Sequence, residues 1–347
     1  MKKIVLNSVI IIITGIALVV LVFFTDGVQS LFELIVRTNY YWLFGAFLCN
    51  VLFWVFGALT VGMLKRGIIG KKKDPGQNFK IVMVGQFFSS ITPFQTGGQP
   101  AQVYMLSKMG VNAGTGSSII ILKSVLFQTV LFVYCMILYI TNRQFLILNI
   151  PNFNLLFIIG VTANLSLIGL YSLFLFKSDM ASKAVAVFFQ LLHFFKIMKE
   201  PQEKFMEVQE SLQAFRDGLG VLVRRFWYIV GAYAMQILQQ AFLFLVPVLM
   251  IKALEGVFFF SWELFVSTAM VVMIASMVPT PGTSGGSEGL SLLFIAPFFF
   301  NSPKMSVVLI WRILTYYSNI IFGGVFCLMV KEKPLVSGQT SEERLEI

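Results

Sequence analysis

Charged residues are scarce in this sequence. They make up 12% of its 347 residues, whereas a soluble domain of ordinary composition carries about 25%. Apolar residues supply 57%, and the mean hydropathy is +0.84. Several apolar runs are about 20 residues long, which is enough to cross roughly 30 Å of hydrocarbon. This composition excludes a soluble globular protein and predicts an all-α integral membrane protein.

Histidine and cysteine are also rare. The single histidine is His193, and Cys49, Cys135 and Cys327 lie in separate apolar runs with no CxxC pair. These spacings argue against a zinc site and against a disulfide framework. A phosphate-binding loop of the form G-x-x-x-x-G-K-[ST] is missing as well. We therefore expect no metal, no cofactor and no step driven by bound ATP.

The cations point to a membrane rather than to a nucleic acid. The net charge of +10 comes from lysines and arginines in short loops beside apolar runs, such as LKRGIIGKKKD (64–74) and VRRF (223–226). No aromatic or glycine-rich RNA-binding motif accompanies them, so nucleic acid is not an expected partner. Basic loops of this kind set the orientation of spans and attract anionic lipid headgroups.

Apolar length predicts six full spans, at residues 4–24, 40–63, 114–140, 153–176, 229–251 and 305–330. The first follows Met1-Lys2-Lys3, but it is too long for the apolar core of a signal peptide and has no cleavage site, so we interpret it as a retained span. Two more apolar segments, 81–107 and 258–300, are interrupted by proline and glycine.

The positions of the charges predict how the interrupted segments lie. If 81–107 crossed the membrane, the basic loop 177–228 would lie outside, against the positive-inside bias. If 81–107 instead dips in from the cytoplasm and 258–300 dips in from outside, 20 of the 26 lysines and arginines are cytoplasmic. The four external cations are then Arg37, Arg143, Lys252 and Lys304, and the two within spans are Lys123 and Arg312. This predicts two re-entrant broken helical hairpins in a cell-membrane protein, with both termini cytoplasmic.

The two hairpins also predict an inverted-topology repeat within one polytopic domain, 1–347. Repeat 1 covers about 40–140 and repeat 2 about 229–330, joined by a cytoplasmic or interfacial elbow at about 177–228 and followed by a short cytoplasmic tail at 331–347. The motif Pro93-x-x-Thr96-Gly97-Gly98 matches Pro281-x-x-Ser284-Gly285-Gly286. Lys123 follows Gly98 by 25 residues, and Arg312 follows Gly286 by 26.

The broken segments predict a binding site at mid-membrane. Irregular backbone at that depth is tolerated where protein or a water-filled cavity satisfies it. Each returning helix would begin near the midplane, with Thr96 or Ser284 as its cap and the positive end of its dipole facing inward. Such ends, together with two cations, suit the phosphate of a lipid headgroup. The candidate site residues are Thr96, Gly97, Gly98, Gln99, Gln102, Lys123, Thr283, Ser284, Gly285, Gly286, Glu288, Arg312 and Tyr316.

Glu288 is the one acidic residue that this topology places deep in the membrane. A carboxylate there is costly unless it is paired or protonated, and the available partners are Arg312, Lys123 or a cationic headgroup. It would act as a charge pair that locks the two halves, or as a headgroup contact or proton-sensitive gate. Gln236 and Gln240, joined by Gln128 and Tyr316, suit interhelical hydrogen bonds at least as well as substrate contact.

Three motifs carry a resemblance to a known family: ITPFQTGGQPAQVYML (91–106), PTPGTSGGSEG (279–289) and WRILTYY (311–317). In this order they resemble the lysylphosphatidylglycerol synthase transmembrane family, also called flippase-like membrane proteins, over about residues 5–330. The best-known member type is the multiple peptide resistance factor. The resemblance implies a bacterial membrane protein that translocates or handles a lipid, with a role in resistance to cationic peptide antibiotics.

Two departures from that family bear on function. Many members look like G-E-P-x-R in the first motif, whereas this chain reads Gly98-Gln99-Pro100-Ala101-Gln102, so glutamine replaces both the acid and the base. The resistance factor also has a large soluble aminoacyl-transferase domain after its spans, whereas 17 residues follow Val330 here.

We therefore expect a flippase or transporter that takes an anionic phospholipid or lipid-linked headgroup. One alternative is a lysyltransferase that makes lysylphosphatidylglycerol, which we do not expect of this chain on its own. The other is an accessory scaffold for a separate synthase or glycosyltransferase, which would dock on the basic loop 177–228.

Overall fold

A computed structural model of the chain describes residues 28–70, 74–176, 217–218, 220–221, 224–256, 261–276 and 278–329. Within these ranges the secondary structure is helical, apart from turns and one isolated β-bridge. The predicted span 4–24, most of the elbow 177–228 and the tail 331–347 lie outside the described residues.

The helices follow one another in chain order. They are α1 (Val28–Arg37), α2 (Tyr40–Ile69), α3 (Pro75–Ser90), α4 (Gly98–Lys108), α5 (Ala113–Asn149), α6 (Phe153–Phe176), α7 (Phe226–Glu255), α8 (Trp262–Ala275), α9 (Gly286–Phe294), α10 (Lys304–Arg312) and α11 (Ser318–Leu328). A short 3₁₀ helix covers Ala296–Phe298, and a π-helical segment, Ile313–Tyr317, joins α10 to α11.

Five helical stretches are long and apolar enough to cross a membrane. They are Tyr40–Ile69, Ala113–Asn149, Phe153–Ser172, Phe226–Glu255 and Lys304–Leu328, and they correspond to five of the six predicted spans. The shorter apolar helices fall in the two interrupted segments. The prediction of an all-α integral membrane protein is confirmed.

The first spans of the two halves, α2 and α7, pack side by side in opposite directions. The Asn39 N–H, at the start of α2, donates to the Ala253 carbonyl near the end of α7 at 2.8 Å. At the other end, the Arg225 guanidinium donates to the Gly67 carbonyl at 3.4 Å. We call the end with Gly67 and Arg225 the basic end and the end with Asn39 and Ala253 the far end.

The two hairpins enter from opposite ends of the molecule. Helix α3 starts shortly after α2 finishes, at the basic end, and α4 returns there to meet α5. Helix α8 starts shortly after α7 finishes, at the far end, where the Ser261 hydroxyl caps it by accepting from the Leu264 N–H at 3.1 Å. The four cations that the sequence assigned to the outside lie on helices, near the far end of the molecule, as that assignment requires.

The entering arm of the first hairpin is longer than the sequence pattern indicated. It was expected to begin at residue 81, but α3 begins at Pro75. Asp74 precedes it, and its carboxylate accepts from the Gln77 N–H at 3.0 Å, while Pro75 occupies the first helical position, where a missing N–H costs nothing. The 16 residues of α3 extend about 24 Å as a helix.

The tips of the two hairpins meet. Pro93 and Pro281 form the antiparallel β-bridge, and the two tips share one backbone shape. Phe94 and Gln95 have φ values of 51° and 57°, and the residues 188 positions later, Gly282 and Thr283, have 55° and 59°. The turn hydrogen bonds also match, from Gln95 to Thr92 and from Thr283 to Thr280. This likeness supports the predicted internal repeat, whose boundaries stay a prediction.

Apolar side chains fill the interior and also cover the outside of the spans. One buried cluster surrounds α5, α7 and α8, and a second lies between α2, α3 and α5. On the outer surface Phe44, Ile140, Leu155 and Ile321 are each at least 60% exposed. Surface of this kind suits contact with lipid acyl chains.

Candidate functional site

A cavity of about 520 Å³ lies where the hairpin tips meet, between α2, α5, α7 and the π-helical segment. This volume is in the range of pockets that take a small molecule or headgroup. Its wall combines a few aromatic rings with many neutral polar side chains and two cations. The polar members include Asn50, Gln86, Ser89, Gln95, Thr96, Gln99, Gln102, Lys123, Gln128, Tyr171, Gln239, Thr283, Ser287, Arg312, Thr315, Tyr316 and Asn319.

Helix α4 opens onto this cavity without a side-chain cap. Gly97 occupies the cap position, and no side chain of the described residues bonds to the first turn. Thr96 was predicted as the cap, but its hydroxyl donates to the Pro93 carbonyl at 3.0 Å instead. Thr92 accepts from the Gly97 N–H at 2.8 Å, which fixes the turn before the helix. The positive end of the α4 dipole therefore faces the cavity without a compensating group of its own.

Gly98 lets the two arms of the first hairpin touch. A Cβ atom at this position would lie 2.0 Å from the Ser89 hydroxyl and 2.8 Å from the Gly85 carbonyl oxygen. Any larger residue would therefore push α4 away from α3. This close approach brings the start of α4 beside the end of α3, where Gln86 and Ser89 face the cavity.

Lys123 is the cation of the first half. It lies on α5, is partly buried, and its Nζ donates to the Gln102 Oε1 on α4 at 3.2 Å. No carboxylate of the described residues lies within ion-pair distance of it. The first half thus presents a lysine held by a neutral amide next to an open helix N-terminus.

The second half differs, because the Glu288 carboxylate both caps the start of α9 and pairs with Arg312. One carboxylate oxygen accepts from the Gly285 N–H at 2.6 Å and so caps α9. The other lies 2.8 Å from the Nε of Arg312, and both side chains are largely buried. The prediction that Ser284 caps this helix is wrong, since the Ser284 hydroxyl accepts from the Arg312 guanidinium at 3.3 Å.

Arg312 holds the second hairpin in place. Besides its ion pair with Glu288, it donates to the Ser284 hydroxyl at 3.3 Å and to the Gly282 carbonyl at 3.2 Å, and its guanidinium lies 4.0 Å from the centre of the Tyr316 ring. All of these residues belong to the second half. The ion pair therefore fastens α10 to its own hairpin and does not lock the two halves together, contrary to the structural alternative drawn from the sequence.

The polar links between the halves come from other residues. The Tyr316 hydroxyl donates to the Ser90 carbonyl at 3.2 Å, at the end of α3. From α2, the Asn50 side chain donates to the Leu314 carbonyl at 2.9 Å and to the Ser318 hydroxyl at 3.1 Å. These bonds join the π-helical segment and the start of α11 to α2 and α3 of the first half, and π segments of this kind occur often at functional sites.

The structure brings most of the predicted site residues to one cavity and leaves some behind its wall. Those that line it are Thr96, Gly98, Gln99, Gln102, Lys123, Thr283, Arg312 and Tyr316. Those outside the lining are Gly97, Ser284, Gly285, Gly286 and Glu288. The last group shapes the tips and the helix ends, and Glu288 reaches the cavity only through Arg312.

Several lining residues were not predicted. Gln86, Ser89 and Gln95 belong to the first hairpin, and the Tyr171 hydroxyl on α6 accepts from the Gln99 side chain at 3.3 Å. Asn50, Gln239 and Asn319 lie within spans. Polar residues within apolar spans are a recognisable signal for these last three. Nothing in the local sequence around Tyr171 distinguishes it from an interfacial tyrosine.

The glutamines singled out from the sequence have different roles. Gln240 donates to the Phe127 carbonyl at 2.7 Å, and Gln128 accepts from Asn164 at 2.8 Å, so both make interhelical hydrogen bonds. Gln128 also lines the cavity. Gln236 is fully buried, and neither amide atom has a hydrogen-bond partner among the described residues.

Comparison with known proteins gives one family. The family described as "Lysylphosphatidylglycerol synthase TM region" matches residues 7–323. The chain is similar to a protein named UPF0104 membrane protein from Archaeoglobus fulgidus, with 30% identity over 330 residues that cover 90% of this chain and 94% of the relative. No solved structure matches the chain.

Proposed function

This chain belongs to the lysylphosphatidylglycerol synthase transmembrane family, and from that premise we propose that it is a flippase for lipids with an anionic headgroup. The headgroup occupies the cavity at the hairpin tips while the acyl chains stay in the bilayer, against the apolar outer surface. The basic end faces the cytoplasm, and the protein works in the cell membrane.

The observation that carries this proposal is the unequal pairing of the two cations that line the cavity. Arg312 is neutralised by Glu288 at 2.8 Å, whereas among the described residues Lys123 has only the neutral Gln102 as its hydrogen-bond partner. A charge at this depth is costly unless it is paired. An anionic group beside Lys123 would supply the missing partner.

The N-terminus of α4 adds to the positive electrostatic potential beside Lys123. Gly98 and Gln99, in its first turn, line the same cavity as Lys123, and the helix has no side-chain cap from any residue that the structure describes. Uncapped first-turn N–H groups and the positive end of the dipole favour a phosphate at such a place. The site thus combines one ammonium group with backbone donors, and both favour an anion.

The fold suits alternating access. Hairpins enter from opposite ends, and their tips meet at Pro93 and Pro281, next to the cavity. Rocking of one half against the other would expose the headgroup site first to one leaflet and then to the other. Because the sequence has no ATP-binding loop, transport is passive, gradient-driven or dependent on a partner.

Purified protein in liposomes tests the proposal. The vesicles contain phosphatidylglycerol with a fluorescent acyl chain, and a membrane-impermeant quencher measures how much of it reaches the outer leaflet. We expect the fraction of fluorescent lipid that is protected from the quencher to fall faster than in protein-free vesicles, with or without an ion gradient. No movement of any anionic lipid under these conditions would refute the flippase and favour a scaffold for a separate synthase or glycosyltransferase. Formation of labelled lysyl lipid from lysyl-tRNA by this chain alone would instead support the lysyltransferase.

A further inference from the structure

The wall of the cavity is unusually rich in neutral carboxamides. Eight of the lining residues carry one: Asn50, Gln86, Gln95, Gln99, Gln102, Gln128, Gln239 and Asn319. Four of them belong to the first hairpin and the other four lie on spans of both halves, so they face the space from more than one side. Hydroxyl groups of Ser89, Thr96, Thr283 and Ser287 add to this lining.

None of the described residues that line the cavity carries a carboxylate. Glu288 lies behind the wall, where its two oxygens already serve Arg312 and the Gly285 N–H. Lys123 therefore leaves the cavity positively charged. An ammonium group brought into this space would meet a like charge and no acidic partner, which is strongly unfavourable.

A carboxamide is both a donor and an acceptor, and so is a hydroxyl group. A ring of carboxamides can therefore satisfy several alcohols in any orientation, which carboxylates or cations do not do alone. Three polar atoms of the wall residues lack hydrogen-bond partners among the described residues: the Oε1 of Gln239, the Nε1 of Trp311, and the Nε of Arg312, which instead lies 2.8 Å from the Glu288 carboxylate.

From this lining, and resting on the proposed flippase function, we infer that the headgroup is a phosphodiester that carries neutral hydroxyl groups, as in a phosphoglycerol or a phosphorylated sugar. The phosphate lies at Lys123 and the start of α4, and the alcohols lie among the carboxamides. Headgroups that carry an amine, including aminoacylated ones, are disfavoured by Lys123 and by the absence of a lining carboxylate.

A headgroup series in the liposome assay tests this inference. Fluorescent phosphatidylglycerol and phosphatidylinositol distinguish glycerol from a sugar-like ring. Phosphatidic acid lacks the alcohols, and phosphatidylethanolamine and lysyl-phosphatidylglycerol carry amines. We expect at least one of the two hydroxylated lipids to move faster than phosphatidic acid and roughly tenfold faster than either amine-bearing lipid, because a like charge next to Lys123 is costly. Movement of lysyl-phosphatidylglycerol as fast as phosphatidylglycerol and phosphatidylinositol would overturn the inference but leave the flippase standing. A series in which nothing moves would overturn both.

The substitution Gln102→Glu sharpens the test. It places a carboxylate where Gln102 now holds Lys123 at 3.2 Å, so the lysine gains an ion pair within the protein. We expect the preference for hydroxylated anionic lipids over lysyl-phosphatidylglycerol to fall by roughly tenfold. The matched control is Gln77→Glu, which adds the same charge at an exposed position in the first turn of α3. An unchanged preference in Gln102→Glu, or an equal change in both variants, would contradict the inference.

Discussion

The hydroxyl group of Tyr316 donates a hydrogen bond of 3.2 Å to the carbonyl oxygen of Ser90. Tyr316 belongs to the π-helical segment of the second half, and Ser90 ends the entering arm of the first hairpin. The same ring packs over the Arg312 guanidinium, which holds the second hairpin through Gly282. One tyrosine thus connects the two hairpins at the depth of the cavity.

Replacing Tyr316 by Phe should weaken the contact between the halves without disturbing the packing of the ring. The lost hydrogen bond is worth about 1 kcal/mol, and we expect a decrease of that size in unfolding free energy, measured by denaturant titration in mixed micelles. Tyr317→Phe is the matched control, since the Tyr317 hydroxyl makes no hydrogen bond within the described residues. Equal destabilisation in both variants would show that the link to Ser90 contributes nothing.

Removal of the Glu288 carboxylate should destabilise the protein more than any other single change at the site. Glu288→Gln leaves Arg312 buried without its ion-pair partner, which typically costs about 3–5 kcal/mol. In the double variant Glu288→Gln/Arg312→Met the unpaired charge is gone, so we expect it to be more stable than Glu288→Gln alone. The measurement is a double-mutant cycle on unfolding free energy, and additive effects would contradict the ion pair.

Lys123→Gln should impair the movement of anionic lipid by roughly tenfold or more, because it removes the charge that the headgroup phosphate would pair with. The fold should tolerate the change, since within the part of the chain that the structure describes Lys123 bonds only to a neutral amide. Lys80→Gln, at an exposed position on α3, removes the same charge outside the cavity and should have little effect. The liposome assay compares the two variants, and equal rates would remove the case for a cation in the site.

Gly98→Ala should loosen the first hairpin. The added methyl group would lie 2.0 Å from the Ser89 hydroxyl and 2.8 Å from the Gly85 carbonyl, so the arms must separate, at a cost of about 1–3 kcal/mol. Gly169→Ala on α6 is the control, because no atom of the described ranges lies within 4 Å of the added atom there. Thermal stability in detergent distinguishes the two, and a fully stable Gly98→Ala protein would contradict the close approach.

Five of the six predicted spans, and the entry of the two hairpins from opposite ends, could be predicted from the sequence, because apolar length and the distribution of the cations depend on the bilayer rather than on tertiary contacts. The start of α3 was missed because apolar length gives no signal there; Asp74-Pro75, a cap followed by a helix-starting proline, marks it better. Arg312 was one of three possible partners for Glu288, and only packing decides among them. Tyr171 on α6 reaches the cavity because it meets Gln99 on α4 in the folded protein, and no local sequence pattern predicts that contact.

The arrangement of the two hairpins, on which the site and its function depend, is tested most directly by labelling single cysteines in cells. Ala113→Cys and Asn301→Cys are both exposed, and they follow the first and the second hairpin, in a background without Cys49, Cys135 and Cys327. With a membrane-impermeant maleimide we predict that Asn301→Cys is labelled in intact cells and that Ala113→Cys is labelled only after permeabilisation. Labelling of both positions from the same side of the membrane would contradict the account.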